Sequence, residues 1–220
     1  LIESITFMRG QGGWNDGRGC AGLLMNRGGT IQNCTFTGNY GGYGNASALD
    51  VRAGLVQNCL IYSNSTGWLG AVYIGGGTVQ NCSILRNHAN GGDAGGIRIE
   101  GGTLRNCLIA GNQDGFGGGV FSYSGGFRMD NCTIVRNKIN AGSGYDSLPN
   151  AAGLYVRGGA VSNCIVYYNQ TGSSEFNISG LSGTNACRYT CAPEFTNSFG
   201  GNITNTPGFR SPGNGYGVGF

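Results

Sequence analysis

Charge is what this 220-residue chain has least of. Charged residues make up 10% of it, with one lysine, Lys138, one histidine, His88, and ten acids. The net charge of +3 comes from scattered arginines rather than a basic run, which argues against a nucleic-acid partner. No apolar stretch is long enough to span a membrane. No CxxC pair or histidine cluster accompanies the cysteines, so a metal is not expected, and nothing calls for a cofactor. A glycosidase usually needs two suitably spaced carboxylates, and the acids here are few and dispersed. Catalytic residues are therefore expected to be none. His88 reads as a loop residue, and Asp93 and Asp114 as loop acids. There is no initiator Met, and the chain opens at Leu1 inside a repeat, as expected of a processed protein or a fragment.

Glycine and cysteine are abundant instead, with 46 and nine residues. Six cysteines stand in one frame: Cys34, Cys59, Cys82, Cys107, Cys132 and Cys164. Asn33, Asn58, Asn81, Asn106, Asn131 and Asn163 precede them. An apolar residue follows two places on, and an Asn five places on (Asn39, Asn64, Asn87, Asn112, Asn137, Asn169). The steps between these cysteines are 25, 23, 25, 25 and 32 residues. A nearly fixed period of this size means stacked structural repeats. Ile5, Phe7 and Gly10 mark a degenerate first copy, which makes seven.

Each repeat divides into three short extended segments, illustrated by Gly96–Ile99, Thr103–Arg105 and Cys107–Ile109. Three strands and three turns per copy make one coil of a parallel β-helix. The fold expected is all-β, a parallel β-solenoid over residues 1–170. A non-repeating C-terminal tail, 171–220, is expected to cap or extend the last coil.

Equivalent residues of successive coils lie about 4.8 Å apart. Disulfides need Cβ atoms roughly 3.5–4.5 Å apart. The six framed cysteines therefore read as a buried thiol ladder, each acting as a small hydrophobe. Cys187 and Cys191 lie outside the ladder and could pair with each other. The Asn columns, including the residues before each Cys, read as amide ladders at the bends. Several also fit the N-x-S/T acceptor pattern; Asn45, Asn177 and Asn202 fit it and lie off the ladder.

The N-C-x-φ-x-x-N repeat with its Gly-Gly turns resembles the right-handed parallel β-helix family of pectin-lyase-like proteins. Within it, the pattern is most similar to bacterial secreted and surface proteins related to polymorphic outer-membrane protein repeats. The tail segments Arg188–Pro193 and Gly201–Phe209 look like the closing segment of those proteins. The resemblance implies a right-handed helix and an extracellular or cell-surface location in a bacterium. It implies no single activity, because the family includes lyases, hydrolases and adhesins.

In pectin-lyase-like enzymes the substrate groove lies on an outward strand face. The strand before the Gly-Gly turn offers Asp50, Tyr73, Arg98, Phe121 and Tyr155 as outward residues, a row suited to holding a glycan. The function expected is a structural or adhesive extracellular solenoid, with a carbohydrate-active enzyme or glycan-binding module as the alternative. The partners expected are further copies stacked end to end through open strand edges, other surface proteins, or a polysaccharide.

Overall fold

The computed structural model describes residues 1–13, 20–44, 46–140, 150–180, 187–195 and 199–208. Three long sheets run along the molecule, and every pairing within them is parallel. Each coil contributes one strand to each sheet, for example Ile97–Ile99, Gly101–Arg105 and Leu108–Ala110. The first sheet runs from Leu23–Met25 to Ile178–Ser179 and has seven strands. The second, from Ile2–Glu3 to Cys187–Arg188, has eight. The third, from Thr6–Met8 to Ile165–Tyr167, has seven. A fourth, short segment follows the final Asn of each coil, as in His88–Ala89 and Lys138–Ile139, and was not evident in the sequence.

The alternation of apolar and polar residues becomes inward and outward columns. Phe36, Ile61, Ile84, Ile109, Ile134 and Val166 form one inward column and are fully buried. Burial of each stabilises the fold by about 1.5–3 kcal/mol. The degenerate first copy keeps this register. Phe7 stacks on Phe36 with ring centroids 4.7 Å apart, although Ile5 in the Cys position is exposed.

The six framed cysteines are buried free thiols, as the coil spacing requires. They also do more than fill space. Each thiol donates to the carbonyl two residues earlier, at 3.1 Å from Cys59 to Gln57 and 3.2 Å from Cys107 to Arg105. Thr190 takes the same place one coil further on, donating to Arg188 O at 3.0 Å and accepting from Cys164 N.

The two Asn columns have different jobs. Those five places after each Cys form the amide ladder. Asn112 Oδ1 accepts from both Asn87 N and Asn87 Nδ2, at 3.0 and 2.9 Å. Asn112 Nδ2 donates onward to Asn137 Oδ1 and back to Ile84 O. The pattern repeats in one direction from Asn39 to Asn177, whose N–H and amide end on the Glu194 carboxylate. The residues before each Cys, Asn33, Asn58, Asn81, Asn106, Asn131 and Asn163, are instead exposed, with φ of 53–54°. The expected ladder role is corrected for these six. They turn a left-handed corner, which Asn tolerates better than other side-chain-bearing residues, and their amides face solvent.

Cys187 and Cys191 do not pair; both are free and buried. Cys187 belongs to the second sheet and Cys191 pairs with Ile165 of the third, with the left-handed corner at Tyr189 between them. Cys187 faces the interior, whereas Cys191 stands in the outward column of the third sheet with Ile165 and is covered by the tail, where its thiol donates to Asn205 O at 3.1 Å. The same pairings show that the tail extends the helix beyond residue 170. Its lack of sequence repeat hides a continued register, since Tyr189 and Thr190 replace the Asn-Cys pair. Asn177 and Asn202 are buried and hydrogen-bonded, which rules out their reading as glycan acceptors. Asn45 and residues 209–220 lie outside the described residues.

Candidate carbohydrate-binding face

The outward column of the first sheet has the register expected of it. Asp50 pairs with Tyr73, Tyr73 with Arg98, Arg98 with Phe121, and Phe121 with Tyr155. The column is not an open strip, however. Asp50 and Phe121 are fully buried and Tyr155 is 7% exposed. The loops after the fourth segment fold back over the strands. Ala94 and Phe116 pack on Phe121 and Tyr155, and the Phe121 and Tyr155 rings stack at 5.2 Å. Asp50 is held by Arg52 at 2.9 Å, with the Cys20 thiol beside it. Burial pushes that thiol up to about 12. Asp50, Phe121 and Tyr155 are therefore support for the face rather than contacts for a ligand, and Tyr73 and Arg98 are the two candidates left partly exposed.

Three columns meet around Arg98. Two residues along the strand, and so on the same side of the sheet, lies Glu100. Its carboxylate accepts from Arg98 Nε at 2.9 Å. Five residues before Arg98, the loop residue Asp93 accepts from Arg98 Nη1. Asp93 is placed by its own backbone, which donates to Trp68 O one coil below at 2.8 Å. Close approach of Gly92 to the Trp68 backbone keeps this turn tight. Burial raises the Asp93 carboxyl above its ordinary value, and Arg98 offsets part of that rise. The Arg98 side chain keeps 22% exposure.

Aromatic rings flank this charged centre. Trp68 is 39% exposed and lies 5.5 Å from Tyr43. Tyr73 sits one coil below Arg98. Tyr123 is 46% exposed, packs edge-on against Phe121 at 4.5 Å and lies under the Arg157 guanidinium at 4.9 Å. Burial and the nearby Asp93 raise the Tyr123 hydroxyl above its ordinary value. The three coils from Tyr73 to Tyr123 span about 10 Å. Rings at both ends can stack on the apolar faces of sugars, and the fixed guanidinium between them can donate to hydroxyls.

Sequence reasoning missed Trp68, Tyr123 and the role of Asp93. Tyr123 and Glu100 had a signal, since each stands two places after a column residue. The two loop residues had none, because their position depends on a loop path that no periodicity describes. Among the described residues, no three His, Cys, Asp or Glu side chains gather as a metal site.

No curated protein and no solved structure matches the chain. A family model described as a right handed beta helix region matches residues 14–197. With that match over most of its length and the parallel coils above, the chain belongs to the right-handed β-helix family.

Proposed function

We propose that this protein is a non-catalytic, extracellular adhesive solenoid that binds a neutral oligosaccharide across the Arg98 face. One observation carries the reading: a guanidinium fixed by two carboxylates between exposed aromatic rings on successive coils. The prefolded strands and loops hold these groups in place before binding, which lowers the cost of ordering them. The reading places the protein where polysaccharides are, at or outside a cell surface.

A second reading has its own support. Asp93 carries a carboxyl raised by burial close to Glu100, the direction of shift that suits a general acid. Both carboxylates are nevertheless engaged by the same arginine, which favours binding over hydrolysis.

A glycan array followed by calorimetry tests the proposal. Trp68→Ala and Tyr73→Ala are expected to lower affinity for the best neutral ligand at least tenfold each, with unchanged melting. A native protein that binds no neutral glycan would overturn it. Turnover of the bound glycan that disappears in Asp93→Asn would establish the enzymatic reading instead.

A further inference from the structure

The corner between the third sheet and the fourth segment carries a groove of about 570 Å³, away from the Arg98 face. Gln113, Lys138 and Gln170 line one wall, and Gly111, Arg136 and Tyr168 line the other. Each wall is a column over three coils. Gln113 bridges to Lys138, and Lys138 pairs with Gln170. Lys138 is the single lysine of the chain, and among the described residues no acid lines the groove.

Two carboxylates on neighbouring segments have partners of their own. Glu175, across the hairpin from Gln170, accepts from Tyr168 N at 2.9 Å and Asn177 Nδ2 at 3.0 Å. Asp114 accepts from His88 Nε2 at 3.1 Å and from the Asn140 backbone and amide at 2.9 Å.

The corner column has left-handed backbone angles. Gly111, Arg136 and Tyr168 have φ of 65°, 55° and 58°, and Arg86, one coil below Gly111, has 50°. Glycine fits such a corner without strain, whereas a long side chain there costs roughly 1–2 kcal/mol. Gly111 supplies the gap between Arg86 and Arg136. A side chain there would meet the Arg86 Cγ at 3.5 Å.

We propose that this groove binds the sulfate ester of a saccharide. Arg136 and Lys138 supply positive charge from opposite walls, and the Gln113 and Gln170 amides supply further donors above and below Lys138. Donors on several sides suit the three terminal oxygens of a sulfate better than a planar carboxylate, which a single arginine fork satisfies. Tyr168, 37% exposed, offers a ring for the sugar that carries the ester. The groove uses no residue of the Arg98 face, so the two sites stand or fall separately.

Calorimetry of the full chain with dextran sulfate, carboxymethyl dextran and dextran, at matched charge density and fixed salt, tests this. Dextran sulfate is expected to bind, carboxymethyl dextran at least tenfold more weakly, and dextran not at all at this groove. The double variant Arg136→Gln/Lys138→Gln is expected to lose at least tenfold in dextran sulfate affinity while remaining folded by circular dichroism. Trp68→Ala is expected to leave that affinity unaltered. Equal binding of carboxymethyl dextran would overturn the sulfate assignment. Undiminished binding by a folded double variant, or no binding of dextran sulfate by the native chain, would overturn the site.

Discussion

Replacing Asn112 by alanine separates the two asparagine columns energetically. The substitution removes four side-chain hydrogen bonds: two accepted from Asn87, one donated to Ile84 O and one donated to Asn137 Oδ1. Each is worth about 1 kcal/mol net, and stranding the buried Asn87 N–H adds about 1–3 kcal/mol. The expected loss is about 5–7 kcal/mol. Asn106 turns an exposed left-handed corner instead, so Asn106→Gly should stay within about 1 kcal/mol of the wild type, and Asn106→Ala should cost roughly 1–2 kcal/mol. Urea titrations report this as shifts in midpoint at constant slope. Asn112→Asp adds a pH test. Its carboxylate would still accept from Asn87 but would meet two acceptors, Ile84 O and Asn137 Oδ1, in a buried position. That raises the folded-state pKa above the unfolded value of about 3.9. The folded state then binds the proton more tightly, so this variant's stability is greatest below about pH 4 and falls as pH rises through the folded pKa. Asn112→Ala within about 1 kcal/mol of the wild type, or Asn106→Ala costing as much as Asn112→Ala, would refute the division of roles.

Other expectations follow from single contacts. Burial raises the Asp114 carboxyl, but His88 and the two Asn140 donors outweigh it and leave it below its ordinary value. Its stabilising contribution is therefore present at neutral pH and lost as pH falls below about 4. Asp114→Asn should lower the melting temperature at pH 7 and converge with the wild type in acid. Ile109→Ala should cost about 2–5 kcal/mol, measured by urea unfolding, because its inward column is fully buried. Burial pushes the Cys187 thiol up to about 11 and encloses the six ladder thiols. These seven should stay unreactive toward a disulfide reagent at pH 8 until the chain unfolds. Rapid reaction of more than two of the nine thiols in the native state would contradict the packing.

The fold was legible because the solenoid imposes the same physical demands on every coil. A left-handed corner, a small buried thiol, an inward aliphatic and a buried amide recur at fixed intervals, and each leaves a residue type behind. The sequence did not separate the two asparagine columns, since corner and ladder both select Asn for different reasons. The continuation past residue 170 was hidden because Tyr189 and Thr190 meet the demands of the corner and the thiol position with other residues. The face was legible as a column and not as a surface. Alternation gives the direction of Asp50, Phe121 and Tyr155, but the covering by Phe116 and Ala94 depends on loop paths. For the same reason Asp93 comes to Arg98, with the Trp68 carbonyl one coil below it, without any sequence pattern that joins them.

The repeated residues build the coils, and the proposed binding lies on the side where the repeat varies. Calorimetric binding of a neutral oligosaccharide, compared between the native chain and Arg98→Ala with melting recorded for both, tests it most directly. Arg98→Ala is expected to lose at least tenfold in affinity while remaining folded, with a lower melting temperature at neutral pH because the buried Asp93 carboxylate loses its partner. Affinity unchanged in a folded Arg98→Ala variant would contradict it.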